Sequence, residues 1–342
     1  MVIRRIKLTQ FRSHRTFVLE CDPKTTKIIG ENGSGKTSVL EAVYEVLQGK
    51  SFRAVDREIL RRGDEFYRVE LEYLDGRKIV VIYDGNKKEF LVEDKKTARL
   101  PKKVRYPIVL FEPDDLNLIG SSPTSRRNYF DRVFSQLSEK YSVALNRYNK
   151  ALKQRNELLK QENVAPQDLF SWDVLLSKYG VELRDERANY IEKINERITD
   201  VYRSIAENTD NVAMEYVTEV GAESGFLAQL ARNFERDRYV GHTGFGVHRD
   251  NYEFVFNGVK ADGSASRGEV RSIVIALKFI EADMIVQKLN KSPVVLLDDV
   301  FSELDEVRQK CLVKNFQNNQ IILTATGVQE DLDGCVVLKK DN

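Results

Sequence analysis

Apolar and polar residues alternate along the first part of the chain with the two-residue period of β-strands. This alternation predicts strands at residues 2–8 and 16–20, and an apolar run at 27–29 predicts a buried strand ending at Gly30. From Lys36 onward the apolar period becomes three and four residues, which predicts a helix with one apolar face. That face is formed by Val39, Leu40, Val43, Val46 and Leu47.

A second region of strand composition follows between residues 67 and 92. Its three segments, 67–74, 78–83 and 89–92, are separated by Asp75-Gly76 and Asp84-Gly85. Asp-Gly pairs are strong signals for tight hairpin turns, because glycine readily adopts the positive φ that these turns require. The pattern therefore predicts an antiparallel meander.

Between about residues 123 and 207 glycine almost disappears, and apolar residues recur at helical spacing. We expect a helical hairpin or a small bundle there, with a break near Pro166. Strands and helices alternate again up to residue 338, which is typical of a mainly parallel sheet. The expected fold class is α/β, with a domain in two parts, 1–122 and 211–342, and a helical insertion at 123–210.

Composition narrows the functional classes. The 342 residues are 42% hydrophobic and 31% charged, and the formal net charge of +1 excludes a polycation. Three widely separated cysteines and three histidines favour neither a disulfide framework nor a zinc site. No apolar run approaches the roughly 20 residues that cross a bilayer. We expect a cytoplasmic protein without a membrane partner, whose nucleic-acid contacts, if any, come from local groups of Lys and Arg.

The strongest chemical signal is a match to GxxxxGK[ST] between a predicted strand and a predicted helix. The glycines let the backbone curl so that its N–H groups point at a phosphate, and the helix adds the positive end of its dipole. Lys36 supplies a charge for the terminal phosphates, and the Thr37 hydroxyl can ligate Mg²⁺. The pattern predicts a site for ATP with Mg²⁺. Its residues are Gly30, Glu31, Asn32, Gly33, Ser34, Gly35, Lys36 and Thr37.

The second signal is an apolar strand predicted at residues 294–297, which ends in Asp298 and Asp299. Open parallel sheets bind ligands at the carboxyl ends of their strands, so both acids are expected beside the phosphate loop. Asp298 would hold Mg²⁺ directly or through water. Asp299 would orient or deprotonate the attacking water.

A third signal, weaker by itself, lies at the start of the long helix predicted at residues 268–289. Ser266 and Gly268 stand at its N-terminus, where backbone N–H groups form a second anion site. Serine and glycine cap many helices, so the weight of this signal comes from its place between the other two motifs.

The order of these motifs resembles that of ABC-type ATPase heads of the SMC kind, and more closely that of the RecF family of bacterial recombinational-repair ATPases. The matching segments span most of the chain. They are Phe11-Arg12-Ser13, the phosphate loop, Ser51-Phe52-Arg53, residues 111–116 with Arg126-Arg127, His248-Arg249-Asp250 and residues 297–305.

The resemblance implies an ABC-type P-loop ATPase head, with a mixed sheet, an antiparallel meander and an inserted helical arm. It also implies an ATP-dependent homodimer, in which Ser266 and Gly268 of one subunit complete the catalytic site around the nucleotide held by Lys36 of the other. Slow, DNA-responsive hydrolysis would reopen the dimer. The implied partners are duplex DNA or single-strand to double-strand junctions, and recombination mediators of the RecR and RecO kind. The implied location is the cytoplasm, at the nucleoid.

The chain departs from the family pattern after the signature serine. Arg267, Glu269 and Val270 stand where that pattern carries glutamines, and Glu269 would place a negative charge near the γ-phosphate. Thr324 or Thr326 would occupy the γ-phosphate-sensing position that a histidine fills in many ABC heads. The altered signature keeps open a nucleotide-gated DNA-binding scaffold with little hydrolysis, or another SMC or ABC-type ATPase. A transporter ATPase, which needs a membrane partner, fits the helical insertion less well.

Two basic stretches are candidates for contacts with DNA phosphates, since such contacts need charge but no base-specific geometry. Arg12 and Arg53 can reach a phosphate, DNA or only solvent. His248-Arg249-Asp250 also spells a kinase catalytic triplet, without any other kinase feature. The basic stretches comprise Arg53, Arg57, Arg61 and Arg62, and then Lys95, Lys96, Arg99, Lys102, Lys103 and Arg105.

Overall fold

The computed structural model describes residues 1–326 and 335–338 of the chain. The chain divides into two compact units. The first is formed by Met1–Asp115 together with Ile285–Asn342, and the second by Leu116–Met284.

The first unit opens with strands, the phosphate loop and a helix in the predicted order. Its elements up to Asp115 are β1 (Ile3–Phe11), β2 (His14–Glu20), β3 (Thr25–Gly30), α1 (Lys36–Gln48), α2 (Asp56–Ile59), β4 (Tyr67–Tyr73), β5 (Lys78–Tyr83), β6 (Lys88–Val92), β7 (Lys95–Thr97) and β8 (Ile108–Phe111). The predicted meander is confirmed, because β5 pairs antiparallel with both β4 and β6. It joins the first hairpin in a six-stranded antiparallel sheet of order β2-β1-β4-β5-β6-β7.

The second unit contains the predicted helices and a small antiparallel sheet of order β11-β10-β9. The expected break is present, because a helix ends at Leu159 and the next begins at Pro166. The elements of this unit are α3 (Pro123–Leu137), α4 (Glu139–Leu159), α5 (Pro166–Asn195), α6 (Ile198–Ala206), β9 (Val212–Val217), α7 (Glu223–Arg232), α8 (Phe234–Val240), β10 (Asn251–Phe256), β11 (Val259–Lys260) and all but the last five residues of α9 (Arg267–Leu289). By their contacts, residues 211–284 group with the helices. The domain boundaries at 122 and 210 stay a prediction.

The chain returns to the first unit with β12 (Val294–Asp298), α10 (Glu306–Asn315), β13 (Ile321–Ala325) and β14 (Cys335–Leu338). These strands form a parallel sheet with β3 and β8, in the order β14-β3-β13-β12-β8. The α/β fold class is confirmed. Within this unit the parallel strands form one sheet and the meander belongs to another.

Helix α1 contacts strands of both sheets in the first unit. Its five predicted core residues are all 0% exposed, and each buried Val or Leu side chain contributes roughly 1.5–3 kcal/mol to folding. Contact on both sides also buries Glu41 and Glu45 completely. A helix with one apolar face in sequence therefore carries two buried carboxylates, which must be paired.

In the part of the chain that the structure describes, no helix combines the length and the apolar character needed to cross a membrane.

Candidate nucleotide-binding site

The phosphate loop joins the end of β3 to the start of α1, as predicted. Gly33 and Gly35 have φ angles of 80° and 92°, in the left-handed region that favours glycine. A β-carbon at Gly35 would lie 2.5 Å from Nε2 of His14 and 2.6 Å from Oγ of Ser13. Gly35 is thus required both for its backbone conformation and for the close approach of the segment that follows β1.

Lys36 lies against the loop that it follows. Its ammonium group donates hydrogen bonds to the carbonyl oxygens of Gly30 at 2.7 Å and of Glu31 at 2.9 Å. An ammonium group has three N–H donors, so one donor is left after these two bonds. Glu31 and Asn32 are exposed, whereas Ser34 is buried. The loop therefore offers a cation and backbone N–H groups at a helix N-terminus, an arrangement suited to an anion.

The predicted convergence of the two motifs is present. Asp298 ends β12, and the strand between β12 and the loop strand β3 is β13. The Thr37 hydroxyl lies 2.9 Å from Oδ1 of Asp298, although the two residues are 261 positions apart. The buried Thr324 hydroxyl, on β13, donates to the same carboxylate oxygen at 2.8 Å. The topology of the sheet explains this geometry, because the carboxyl ends of all three strands meet at one edge.

This pair of oxygens fits Mg²⁺. The ion commonly uses one or two protein oxygens and completes its octahedron with phosphate oxygens and water. Thr37 and Asp298 provide two hard oxygens that lie 2.9 Å apart. Among the described residues no group of three or more His, Cys, Asp or Glu side chains could hold a metal. A site of two oxygens beside a phosphate loop is therefore suited to a metal that a nucleotide brings with it.

Asp299 follows with a left-handed φ of 50°. Its backbone N–H donates to the Thr324 hydroxyl at 2.9 Å. Partial burial raises the pKa of the Asp299 carboxyl, Lys36 opposes this rise, and the neighbouring Asp298 adds to it. A carboxylate with a raised pKa is a better proton acceptor, which suits the predicted role of Asp299 beside an attacking water.

Thr324 is one of the two residues predicted at the γ-phosphate-sensing position. Its hydroxyl is fully buried and bonded to both acids, so it holds them in place instead. The exposed Thr326, whose hydroxyl lies 3.5 Å from Oδ1 of Asp299, remains the candidate sensor.

A cavity of about 490 Å³ opens beside the loop. Five basic and two acidic side chains line it, and the difference, five minus two, leaves a net charge of +3. Such a field attracts a polyphosphate anion. Arg53, Arg61 and Arg62, which were candidate DNA contacts, all lie here. The charged lining residues are Arg12, Lys36, Arg53, Arg61, Arg62, Glu58 and Asp299.

The second basic stretch lies elsewhere in the first unit, on and around β7. Lys95 and Lys103 line a separate hollow of about 770 Å³ together with Arg77 and Lys291. Its role in DNA binding stays a prediction.

Ser266 and Gly268 lie in the second unit, at the start of α9. The Glu269 carboxylate accepts a hydrogen bond from the Ser266 backbone N–H at 2.6 Å, and the Glu269 N–H donates to the Ser266 hydroxyl at 3.3 Å. This reciprocal pair is a capping box. This capping box was not predicted, although the spacing Ser-x-x-Glu is visible in the sequence. Glu269, suspected of repelling a phosphate, is thus engaged in capping its own helix.

The triplet at residues 248–250 is part of a buried polar network. Asp250 accepts a hydrogen bond from the buried Arg187 at 2.9 Å, and Nδ1 of His248 lies 2.7 Å from the Tyr148 hydroxyl. Burial lowers the pKa of His248 to about 4. These contacts explain the triplet by packing, and no kinase function is needed. Arg187 was not singled out from the sequence, because a lone arginine in a helical segment carries no signal of burial.

The fold and the site define a P-loop ATPase head of the α/β class. The family model described as an AAA ATPase domain matches residues 1–220. Over 339 residues the chain is 31% identical to the DNA replication and repair protein RecF of Clostridium acetobutylicum, covering 96% of this chain and 93% of that protein. Over 353 residues it is 33% identical to RecF of Clostridium novyi, covering 99% and 98%. The chain belongs to the RecF family.

A solved structure supports the same relationship. The recombination mediator protein RecF with ATP, from the RecFOR pathway, superposes with a TM-score of 0.87 at 26% identity, covering 99% of this chain and 96% of that chain.

Proposed function

We propose that this protein is a RecF-like DNA repair and recombination ATPase, which binds ATP with Mg²⁺ and hydrolyses it slowly in response to DNA. One observation carries the proposal, namely the 2.9 Å contact between the phosphate-loop hydroxyl of Thr37 and the Asp298 carboxylate. The net charge of +3 around the adjoining cavity supports a polyphosphate ligand.

Each residue has a distinct role in this proposal. The loop from Gly30 to Thr37 receives the phosphates through its N–H groups, with Lys36 at the terminal phosphates. Thr37 and Asp298 would hold Mg²⁺, and the ion would supply positive charge to the phosphate oxygens. Asp299 orients the attacking water and accepts its proton, a role that its raised pKa favours.

The catalytic site is completed by a second subunit. In an ATP-dependent homodimer, Ser266 and Gly268 at the N-terminus of α9 would cap the nucleotide bound by the partner. The capping box supports this arrangement, since it leaves the Glu269 charge paired within its own helix. The remaining N–H groups of the first turn stay available to an anion.

The proposed partners are duplex DNA, or a single-strand to double-strand junction, and mediators of the RecR and RecO kind. Support comes from the relatives named as DNA replication and repair proteins and from the RecF–ATP structure of the RecFOR pathway. Loading of recombination mediators at gaps or stalled forks, in the cytoplasm at the nucleoid, follows as the proposed biological role.

Steady-state ATP hydrolysis with and without duplex DNA tests the proposal, using the native chain and Lys36→Met. We expect hydrolysis that DNA stimulates in the native chain and that the variant loses. Absence of both DNA binding and DNA stimulation would exclude the repair role. ATP-dependent DNA binding without hydrolysis would instead favour the nucleotide-gated scaffold.

A further inference from the structure

Glu41 connects two arginines at the edge of the nucleotide cavity. It lies one turn after Thr37 on α1, and its side chain is fully buried. Nε and Nη2 of Arg12 donate to its two carboxylate oxygens at 2.9 and 2.7 Å. Nε of Arg53 donates to Oε2 at 3.0 Å, and the Ser51 hydroxyl donates to Oε1 at 2.7 Å. Three separate stretches of chain therefore meet at one carboxylate.

The Glu41 carboxylate is held in its charged form. Burial alone would raise the pKa of Glu41, but the hydrogen bonds from Arg12, Ser51 and Arg53 outweigh burial and lower it. Bidentate pairing of a guanidinium with a carboxylate also fixes the orientation of the planar guanidinium group. Glu41 thus orients both guanidinium groups through one carboxylate.

The two arginines keep an open side. The Arg12 and Arg53 side chains are 23% and 36% exposed, and both line the cavity that contains Lys36 and Thr37. A guanidinium has five N–H donors, and Glu41 uses only part of each set. Nη1 of Arg12 also donates to the Glu58 carbonyl oxygen at 2.9 Å. Both guanidinium groups still keep donors that these bonds do not use, in side chains that line the cavity beside the phosphate loop.

We propose that Glu41 is a positioning residue of the nucleotide site, which holds Arg12 and Arg53 as a pair against the polyphosphate of the bound nucleotide. The inference rests on the proposed function. Arg12 follows β1 and Arg53 follows α1, so the two arginines come from separate stretches of the chain. Glu41 lies on α1, the helix that begins at the phosphate loop. Its carboxylate therefore fixes both arginines relative to the loop.

The same helix offers a matched control. Glu45 lies one turn further along α1 and is equally buried. Its carboxylate accepts hydrogen bonds from Lys88 at 2.7 Å and from the Tyr67 hydroxyl at 2.6 Å. Neither Lys88 nor Tyr67 lines the nucleotide cavity. Glu45→Gln should therefore disturb the helix much as Glu41→Gln does, without touching the arginine pair.

The test measures ATP affinity by titration calorimetry in the presence of Mg²⁺, for the full chain and for both variants, with thermal unfolding recorded in parallel. Glu41→Gln should weaken ATP binding by about tenfold or more, the size expected when charge-assisted contacts lose their geometry. In the hydrolysis assay it should lower kcat/KM by about 10- to 100-fold. Glu45→Gln should keep its ATP affinity and its kcat/KM within about twofold of the native values. This should hold even if its melting temperature falls as far as that of Glu41→Gln.

Arg12→Lys and Arg53→Lys keep the positive charge but lose the planar guanidinium group. They test the inference independently if Glu41→Gln fails to fold. Each should weaken ATP binding, and in combination with Glu41→Gln neither should add its full effect. The inference is overturned if the folded Glu41 variant, or both lysine variants, bind ATP like the native chain. It is also overturned if Glu45→Gln weakens binding equally. A native chain that binds no ATP would remove the proposed function together with this inference, whereas native binding with unaffected variants would remove only the inference.

Discussion

Thr324 offers the sharpest test of how the two acids are held. Its buried hydroxyl donates to the Asp298 carboxylate at 2.8 Å and accepts from the Asp299 N–H at 2.9 Å. Thr324→Val has nearly the same shape but removes both bonds. Loss of a hydrogen bond to a charged group costs about 1.5–3 kcal/mol, and an unpaired buried N–H costs about 1–3 kcal/mol. The added methyl group offsets about 1 kcal/mol.

We expect a net loss of about 1.5–5 kcal/mol in the free energy of unfolding. For a unit of this size, that loss lowers the melting temperature by roughly 3–20 °C. Circular dichroism melts measure it directly. ATP affinity should also fall more with Mg²⁺ present than without it, because Asp298 would lose one of the groups that orient it.

Thr324→Ser keeps the hydroxyl and should recover most of the loss. Thr326→Val provides the second control, since the exposed Thr326 makes only a 3.5 Å contact with Asp299. It should cost less than about 0.5 kcal/mol. The reasoning fails if Thr324→Val melts with the native protein, or if Thr326→Val is as damaging.

Gly35→Ala should abolish ATP binding by calorimetry, because it adds close contacts to a strained φ of 92°, whereas Gly63→Ala, at the same φ but in open space, should leave binding intact. Burial lowers the pKa of His248 to about 4, so the folded protein favours the neutral imidazole. The stability that depends on this neutral form is therefore fully present above about pH 6.5 and is lost as the pH falls. Urea titrations should show that the free energy of unfolding falls by about 2 kcal/mol between pH 7.5 and pH 5. His248→Gln should remove most of this pH dependence, whereas His242→Gln, at an exposed position, should leave it unchanged. Asp299→Asn should bind ATP but trap the dimer, and sedimentation showing only monomer with ATP would contradict this.

Much of the nucleotide site could be predicted from the sequence, because its parts are local. The phosphate loop needs glycines at positions with positive φ and a helix directly after Lys36, and both requirements can be recognised within eight residues. Asp298 and Asp299 could be placed beside it from a general property, the meeting of parallel strand ends at one edge of a sheet. The meander was equally local, since its two Asp-Gly turns mark it.

Other features depended on packing between distant segments. Thr324 reaches Asp298 and Asp299 only because β13 lies between β3 and β12 in the sheet. Only the contact of α1 with two sheets buries Glu41 and makes it the partner of Arg12 and Arg53. Hydrophobic periodicity and motif spacing therefore predicted the helices and strands and the chemistry of the phosphate loop. The tertiary structure decided which polar groups meet, because the burial and the partners of a residue depend on what the whole chain places around it.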